Sequence, residues 1–242
     1  MRRELVVFSA ILAVLLALAL AIRPFMLNVA TTWIKNAFPG YEVTVGDVEM
    51  RNIDMISVTG IKIRTEPTLL YRIKSVDIKF SPLSLFTRTI PKVTVKNTDL
   101  QFNAPDRDFK DVIIYPALKQ CKGFSVKSIA VLNLVAMART DDWKFNVGFD
   151  GNMEIRKTPS GDTEIEGDFS SAGGKLSIRD EAFLKRLAEK TKQPFSAVED
   201  LKDYDYTKAL LHISGKPGSV LLRVILDGKK GKKDLTVPLS GF

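Results

Sequence analysis

A chain of 242 residues with 45% hydrophobic and 26% charged residues has the composition of a folded protein of one or two domains, not of a disordered chain. Its formal net charge of +8 is accompanied by no nucleic-acid recognition motif, so no nucleic-acid partner is predicted. The chain has one cysteine, so it cannot form an intramolecular disulfide. One cysteine and one histidine also do not make a typical zinc site or a Cys/His dyad.

The chain begins with an uninterrupted apolar run at residues 5–22. As a helix this run spans about 27 Å at ~1.5 Å per residue, close to the ~30 Å hydrocarbon core of a bilayer. Small residues near its end also suit a signal-peptide cleavage site, but the run exceeds the usual ~7–15 apolar residues and continues through Arg23 and Pro24. We therefore predict a single-pass membrane anchor at residues 5–23, with residues 1–4 in the cytoplasm and the main domain on the exported side.

A short helix and a series of half-buried strands follow the apolar run. Residues 27–38 carry apolar side chains at helical spacing, and Pro39 and Gly40 end this pattern. Over residues 41–102 the period changes to two, with Asn, Asp, Gly and Pro at the interruptions. This alternation predicts antiparallel strands joined by hairpins, with one apolar face.

The second half of the chain continues the strand pattern around two helices. Residues 106–122 have roughly helical apolar spacing. A helix is predicted at residues 181–190 with Asp180 as its N-cap, and Ser196 with Glu199 has the spacing of a capping box. Turns are predicted at residues 159–162 and 228–233, and strands at residues 124–138, 143–156, 163–170, 175–178, 209–214, 220–227 and 235–239.

No motif in the sequence points to a chemical reaction. The chain has no glycine-rich phosphate loop and no HExxH, GxSxG or CxxC motif, so we predict no catalytic residue, cofactor or metal ion, and no enzyme. Cys121 is interpreted as a small buried hydrophobe and His212 as a partly buried strand residue. The lysines at 229, 230, 232 and 233 are interpreted as a solvated hairpin loop, with contact to anionic lipid head groups as the alternative.

Two stretches of the chain contain distinctive patterns of aliphatic, glycine and aromatic residues. These residues are Leu83, Leu85, Phe86, Ile90, Val93, Val95, Asn97 and Leu100 in the first stretch, and Gly173, Gly174, Leu201, Tyr204, Tyr206, Gly228, Leu235 and Phe242 in the second. In these patterns the chain resembles the AsmA-like envelope proteins, in particular those of the YdbH type, and the resemblance implies an anchor in the inner membrane and a main domain in the periplasm. The resemblance divides the body into an AsmA-like β region at residues 24–103, a central β segment at residues 104–172 and a YdbH-like β module with a helix at residues 173–242. The central segment is much shorter than the long β bridge of the large members, which leaves the bridging of two membranes open.

The resemblance implies a mostly β fold with a few helices, in which an antiparallel sheet folds over as a taco-like groove that shelters phospholipid acyl chains. Such a groove is physically reasonable because each CH₂ group kept from water contributes ~0.8 kcal/mol. The same aliphatic residues can instead fill an ordinary sandwich core, and this alternative stays open. The alternating residues predicted to line the groove are Val58, Ile61, Ile63, Val76, Ile78, Phe80, Val93 and Val95.

The predicted function is phospholipid transport or outer-membrane lipid homeostasis by a membrane-anchored envelope protein. Its predicted partners are the acyl chains of membrane phospholipids and other envelope proteins. The alternative is a scaffold or assembly factor that recruits envelope proteins by strand addition at the edges of its sheet.

Overall fold

The computed structural model describes residues 27–238, apart from residues 29, 33, 37–39, 53, 66–68, 82–85, 103–124, 160–161 and 217–218. In these residues the fold is mostly β with few helices, as the alternation predicts. No helix among them is long and apolar enough to cross a membrane. The predicted anchor at residues 5–23, the predicted helical segment at residues 106–122 and Cys121 lie outside the described residues.

One large sheet contains most of the described strands. The strands are β1 (Glu42–Thr44), β2 (Asp47–Asn52), β3 (Met55–Thr65), β4 (Leu69–Lys79), β5 (Thr89–Ile90), β6 (Lys92–Phe102), β7 (Ser125–Val126), β8 (Ser128–Arg139), β9 (Trp143–Lys157), β10 (Thr163–Ser171), β11 (Gly174–Ile178), β12 (Tyr204–Lys216), β13 (Ser219–Gly228) and β14 (Gly231–Pro238). Their order across the large sheet is β1-β3-β4-β6-β8-β9-β10-β12-β13-β14, with β2 beside β3 and β11 between β9 and β12. β5 and β7 form a separate pair.

The prediction of a purely antiparallel sheet is wrong at one place in the large sheet. β6 and β8 run parallel, with Val93 opposite Ile129 and Phe102 opposite Ala138, whereas the other pairs of the large sheet are antiparallel. A parallel connection needs about a dozen residues or more, and residues 103–124 supply that length. Alternation of apolar and polar residues is the same in both orientations, so the sequence pattern contains no signal for this pair.

A row of unusual backbone conformations crosses the N-terminal half of the sheet. Gly60 in β3, Asn97 in β6 and Asn133 in β8 have left-handed φ angles of 65°, 51° and 56°. The strand register places these residues in one row with Lys74 of β4 and with Gly46, which lies between β1 and β2. We call this row the crease.

The crease changes which residues share a face of the sheet. In an uninterrupted strand, residues three positions apart point to opposite faces. Across the crease, however, Val58 and Ile61 pack in the same buried cluster. The left-handed residue reverses the alternation, so that apolar side chains before and after the crease lie on one continuous apolar face, with the polar face on the other side.

Two helices follow β11. Helix α1 (Glu181–Thr191) begins at Asp180, whose side-chain Oδ1 accepts a hydrogen bond of 2.8 Å from the backbone N–H of Phe183, as predicted. Helix α2 (Phe195–Glu199) begins after Pro194 and has no side-chain cap, so the predicted capping box is wrong. Pro194 holds the extended backbone that precedes the helix, and Ser196 therefore falls inside it.

Helix α1 also protects the edge strand β14. The side-chain Nε2 of Gln193, just after the helix, donates a hydrogen bond of 2.8 Å to the backbone carbonyl of Asp234. Asp234 lies in β14, where the outward backbone groups have no neighbouring strand in the sheet order. The helix therefore packs against this edge and satisfies part of its hydrogen-bonding capacity.

Candidate functional site

The apolar face is covered at the β1 end by an N-terminal cluster. Its buried members are Val43, Val48, Val58, Ile61 and Ile63. The helical residues that precede β1 contribute Leu27, Ala30 and Ile34, which pack against these side chains. The helical stripe predicted at these three positions is confirmed as a packing surface.

The opposite end of the apolar face is covered by α1, α2 and the 3₁₀ turn Asp200–Lys202. Leu184, Leu187 and Ala188 of α1 are buried there together with Val198 and Leu201. On the same helix, Phe183 contacts Trp143 at the start of β9, with ring centroids 4.6 Å apart. Leu235 and Val237 of β14 belong to the same buried cluster, so this helix docks against the last strand of the sheet.

Two buried tyrosines close this C-terminal cluster. Tyr204 is fully buried, and its hydroxyl donates to the backbone carbonyl of Gly231. Tyr206 packs directly against Gly174, where an added Cβ would lie 2.5 Å from the tyrosine oxygen. Burial raises the pKa of both phenols above the ordinary value, so both remain neutral. Gly174, Tyr204 and Tyr206, which contribute to the family resemblance, are thus packing residues.

Between the two covered ends lies a band of half-buried aliphatic side chains, which we call the central stripe. Residues directly opposite each other on neighbouring strands share a face. The pairs Ile78–Val93, Val93–Ile129 and Ile213–Leu222 therefore place the stripe on the apolar face. Its members are Val76, Ile78, Val93, Val95, Ile129, Val131, Ile155, Ile213 and Leu222.

The central stripe is large enough for acyl chains. It extends over the strands from β4 to β13 in the sheet order, which corresponds to six inter-strand steps. At ~4.8 Å per step its length is roughly 29 Å, compared with about 15 Å for one leaflet of the hydrocarbon core. Met153 and Ile165 lie between its two halves and are buried, so the row of apolar side chains continues across β9 and β10.

The predicted groove residues other than Phe80 are divided between a packed core and the central stripe. Three of them, Val58, Ile61 and Ile63, are only 5%, 4% and 2% exposed within the N-terminal cluster. The other five are half-buried, namely Val76, Ile78, Phe80, Val93 and Val95. Of these, Val93 and Val95 belong to no buried cluster of described residues. The half-buried residues keep part of their surface accessible, although Val76 and Ile78 also pack against the N-terminal cluster.

The sequence prediction stopped at Val95 and missed the C-terminal half of the stripe. Ile129 and Val131 in β8 show the same alternation, so a signal for them was present. The alternation breaks at Asn133, because the crease moves Leu134 to the face of Val131 and leaves Leu132, 44% exposed, on the other face. Without the crease these residues cannot be assigned to one surface.

The polar face contains a buried ion pair behind the stripe. Asp77 is 5% exposed, and its two carboxylate oxygens accept hydrogen bonds of 2.7 Å from Ser57 Oγ and from Lys96 Nζ. Burial raises the pKa of Asp77 and is the largest single influence, but the hydrogen bonds from Lys96 and Ser57 and the nearby positive charges together lower it below its usual value. The carboxylate is held in its charged form and fully partnered, which suits a structural role.

Among the described residues no group of three or more His, Cys, Asp or Glu side chains is arranged to hold a metal ion. His212 is partly buried in β12, as predicted, and its Nδ1 lies 2.9 Å from the Oδ1 of Asp168 on β10. This cross-strand pair is solvated and has no third titratable partner in the hydrogen bonds of the described residues.

No protein-family model matches the chain, and no curated protein is similar enough to be matched with it.

Proposed function

We propose that this protein is a membrane-anchored envelope protein that shelters phospholipid acyl chains on its apolar face and acts in phospholipid transport or outer-membrane lipid homeostasis. The observation that carries the proposal is the central stripe. Nine aliphatic side chains lie half-buried on one face, and two of them, Val93 and Val95, belong to no buried cluster of described residues. Contiguous apolar patches that stay accessible on a protein surface commonly serve as interaction sites.

The chemistry of the stripe matches acyl chains better than other ligands. Its members are Val, Ile and Leu, with no charged or hydrogen-bonding side chain among them. Such a surface gains about 0.8 kcal/mol for each CH₂ group that it removes from water, and it makes no directional bonds. Binding of this type accepts acyl chains of different length, as a lipid carrier requires.

We further propose that the sheet folds over its apolar face as a taco-like groove. Support comes from glycines on the apolar side of neighbouring strands. A Cβ added at Gly167 would lie 2.9 Å from the carbonyl oxygen of Asn152, and one added at Gly151 would lie 2.6 Å from the ring of Phe169 on the next strand. Glycines at such positions permit the strong local bending that curved sheets need.

The alternative function, a scaffold that recruits partners through its sheet edges, is less well supported. On one edge, the backbone carbonyl of Asp234 already accepts a hydrogen bond from the side chain of Gln193. Pro238, at the end of the same strand β14, has no N–H to donate. On the other edge, β2 is irregular between Met50 and Asn52. Bulges, prolines and covered backbone groups oppose strand addition.

Native mass spectrometry of the full-length protein extracted in detergent tests the proposed function. We expect masses that correspond to the protein with bound phospholipid, and release of fatty acyl-containing species on activation. A protein that is extracted under gentle conditions and shows no bound lipid, even after incubation with phospholipid vesicles, would contradict the proposal.

A further inference from the structure

Four basic residues lie close together on β3 and β4: three on the polar face, on the side of the crease that pairs with β1, and one, Lys74, in the crease itself. They are Lys62 and Arg64 of β3 and Arg72 and Lys74 of β4, and all four are exposed. Lys62 and Arg64 alternate with the buried Ile61 and Ile63, and therefore point away from the N-terminal cluster. We call these four residues the basic patch.

The strand register sets two of these cations directly against each other. Lys62 lies opposite Arg72 in the β3–β4 ladder. Opposite positions have Cβ atoms about 4.5–5.5 Å apart, and like charges at that separation destabilise a sheet. Lys62, Arg72 and Lys74 form no ion pair with another described residue. An anion bound between them would relieve this repulsion.

Two acidic residues face the basic patch from the neighbouring strands. Glu42 of β1 lies opposite Arg64, and Asp99 of β6 lies opposite Arg72. Asp99 is exposed and forms no ion pair with Arg72. Because four cations face two carboxylates, the patch retains an excess of positive charge.

We propose that the basic patch binds the phosphate groups of anionic phospholipids, so that the polar face of β3 and β4 lies against the membrane surface. The position of the patch favours a membrane over other polyanions. The helical residues from Leu27 to Ile34 pack on the opposite face of the same strands, and the apolar run at residues 5–22 comes shortly before them in the chain. An anchor there keeps these strands within reach of lipid head groups. The inference rests on the membrane anchoring in the proposed function, but not on acyl-chain binding.

Site-specific crosslinking in the full-length protein tests this inference. A photoreactive amino acid replaces Thr44, which is exposed on β1 opposite Lys62. The protein is placed in nanodiscs of phosphatidylcholine, with and without phosphatidylglycerol. We expect the fraction crosslinked to lipid to rise with phosphatidylglycerol and to fall with added salt. Since each basic residue near an anionic surface changes the affinity about fivefold, Lys62→Gln with Arg72→Gln should lower crosslinking by an order of magnitude or more.

The same photoreactive residue at Thr236, exposed on β14 at the other edge of the sheet, is the matched control and should show no dependence on phosphatidylglycerol. Removing the like-charge pair should leave the melting temperature of the double variant equal to or above that of the parent. Should that variant fold poorly, Asp99→Asn provides the opposite test, because it strengthens the patch and should raise crosslinking.

Three results would overturn the inference: crosslinking from Thr44 that is independent of phosphatidylglycerol, crosslinking that is unchanged in the charge variants, or crosslinks to a second copy of the chain in place of lipid. A failure of acyl-chain binding is detected separately, by the absence of bound lipid in native mass spectrometry. The two proposals can therefore fail independently.

Discussion

The side-chain amide of Asn133 donates a hydrogen bond of 2.9 Å to the side-chain oxygen of Asn97, and it links β6 to β8 at the two positions where their backbones are left-handed. The backbone N–H of Asn133 donates at the same time to the Oδ1 of Asp150 on β9, 2.6 Å away. Asparagine tolerates the left-handed conformation better than most residues. The two asparagines therefore make the crease possible and hold neighbouring strands together across it.

Replacing Asn133 by alanine should lower the free energy of unfolding by about 2 kcal/mol. About half of this is the cost of a left-handed alanine, and the rest is the lost hydrogen bond. Asn133→Gly keeps the backbone conformation and should be destabilised less. Urea denaturation measures both effects, and an alanine variant as stable as the parent would show that the crease does not depend on this residue.

A charge placed in the central stripe should affect lipid binding more than folding. Ile129→Glu puts a carboxylate on the half-buried apolar face, whereas Leu132→Glu puts one on the same strand but on the polar face. We expect Ile129→Glu to reduce the phospholipid that co-purifies with the protein, and Leu132→Glu to leave it unchanged. Phospholipid content and thermal unfolding are measured on the same samples. If Ile129→Glu unfolds the protein and the parent binds no lipid, the stripe is a filled core.

Gly174 should tolerate no side chain, because its Cβ would meet the buried ring of Tyr206. We expect Gly174→Ala to destabilise the protein by about 1–3 kcal/mol, as overpacking of a core does. Gly148 in β9 is the matched control, since a Cβ there would meet its nearest atom at 3.9 Å. Chemical denaturation of the two variants compares them directly, and equal loss at both glycines would refute the packing argument.

The buried Asp77 should make part of the stability depend on pH. Because its pKa is lowered in the folded protein, the carboxylate stabilises the fold above the unfolded-chain pKa of about 3.9, and this contribution is lost as the pH falls through the lowered value. Asp77→Asn should cost about 1–3 kcal/mol at neutral pH, since Lys96 and Ser57 lose a charged partner, and should remove this acid-dependent step. The denaturation midpoints of the parent and of Asp77→Asn, measured from neutral to acid pH, report both the stability cost and the acid-dependent step. Asp141→Asn, at an exposed position in the turn between β8 and β9, is the control for the loss of one surface charge.

The sequence predicts an element well where residues close together in the chain determine it. The helix predicted at residues 181–190 is found at Glu181–Thr191, because an N-cap aspartate and an apolar stripe are readable without tertiary structure. The hairpin that closes β13 and β14 turns at Lys229 and Lys230, within the predicted lysine-rich loop. The capping box failed because Pro194 lies closer to the helix start than Ser196 does.

The candidate site was only partly predictable because it depends on relations between distant residues. Val58 and Val93 have the same alternating pattern, yet helical residues cover the cluster that contains Val58, and nothing in either local sequence indicates that difference. The crease is a second such relation. In the sequence, Asn97 and Asn133 look like ordinary interruptions of the alternation, and only the strand register shows that they lie side by side. The parallel direction of β6 and β8 is a third relation that the local sequence does not indicate.

The order of the strands in the large sheet affects how the protein folds and how the number of strands in the sheet can change. Most strands lie next to the strand that precedes or follows them in the chain, so most strand pairs close only a short connecting segment and have little loop-closure entropy to overcome. We expect the sheet to grow outward by successive hairpins, with the slower joining step at β6 and β8, where residues 103–124 intervene. As in solenoid proteins, a hairpin gained in the course of evolution would extend the sheet and a hairpin lost would shorten it, without disturbing the pairing of the remaining strands.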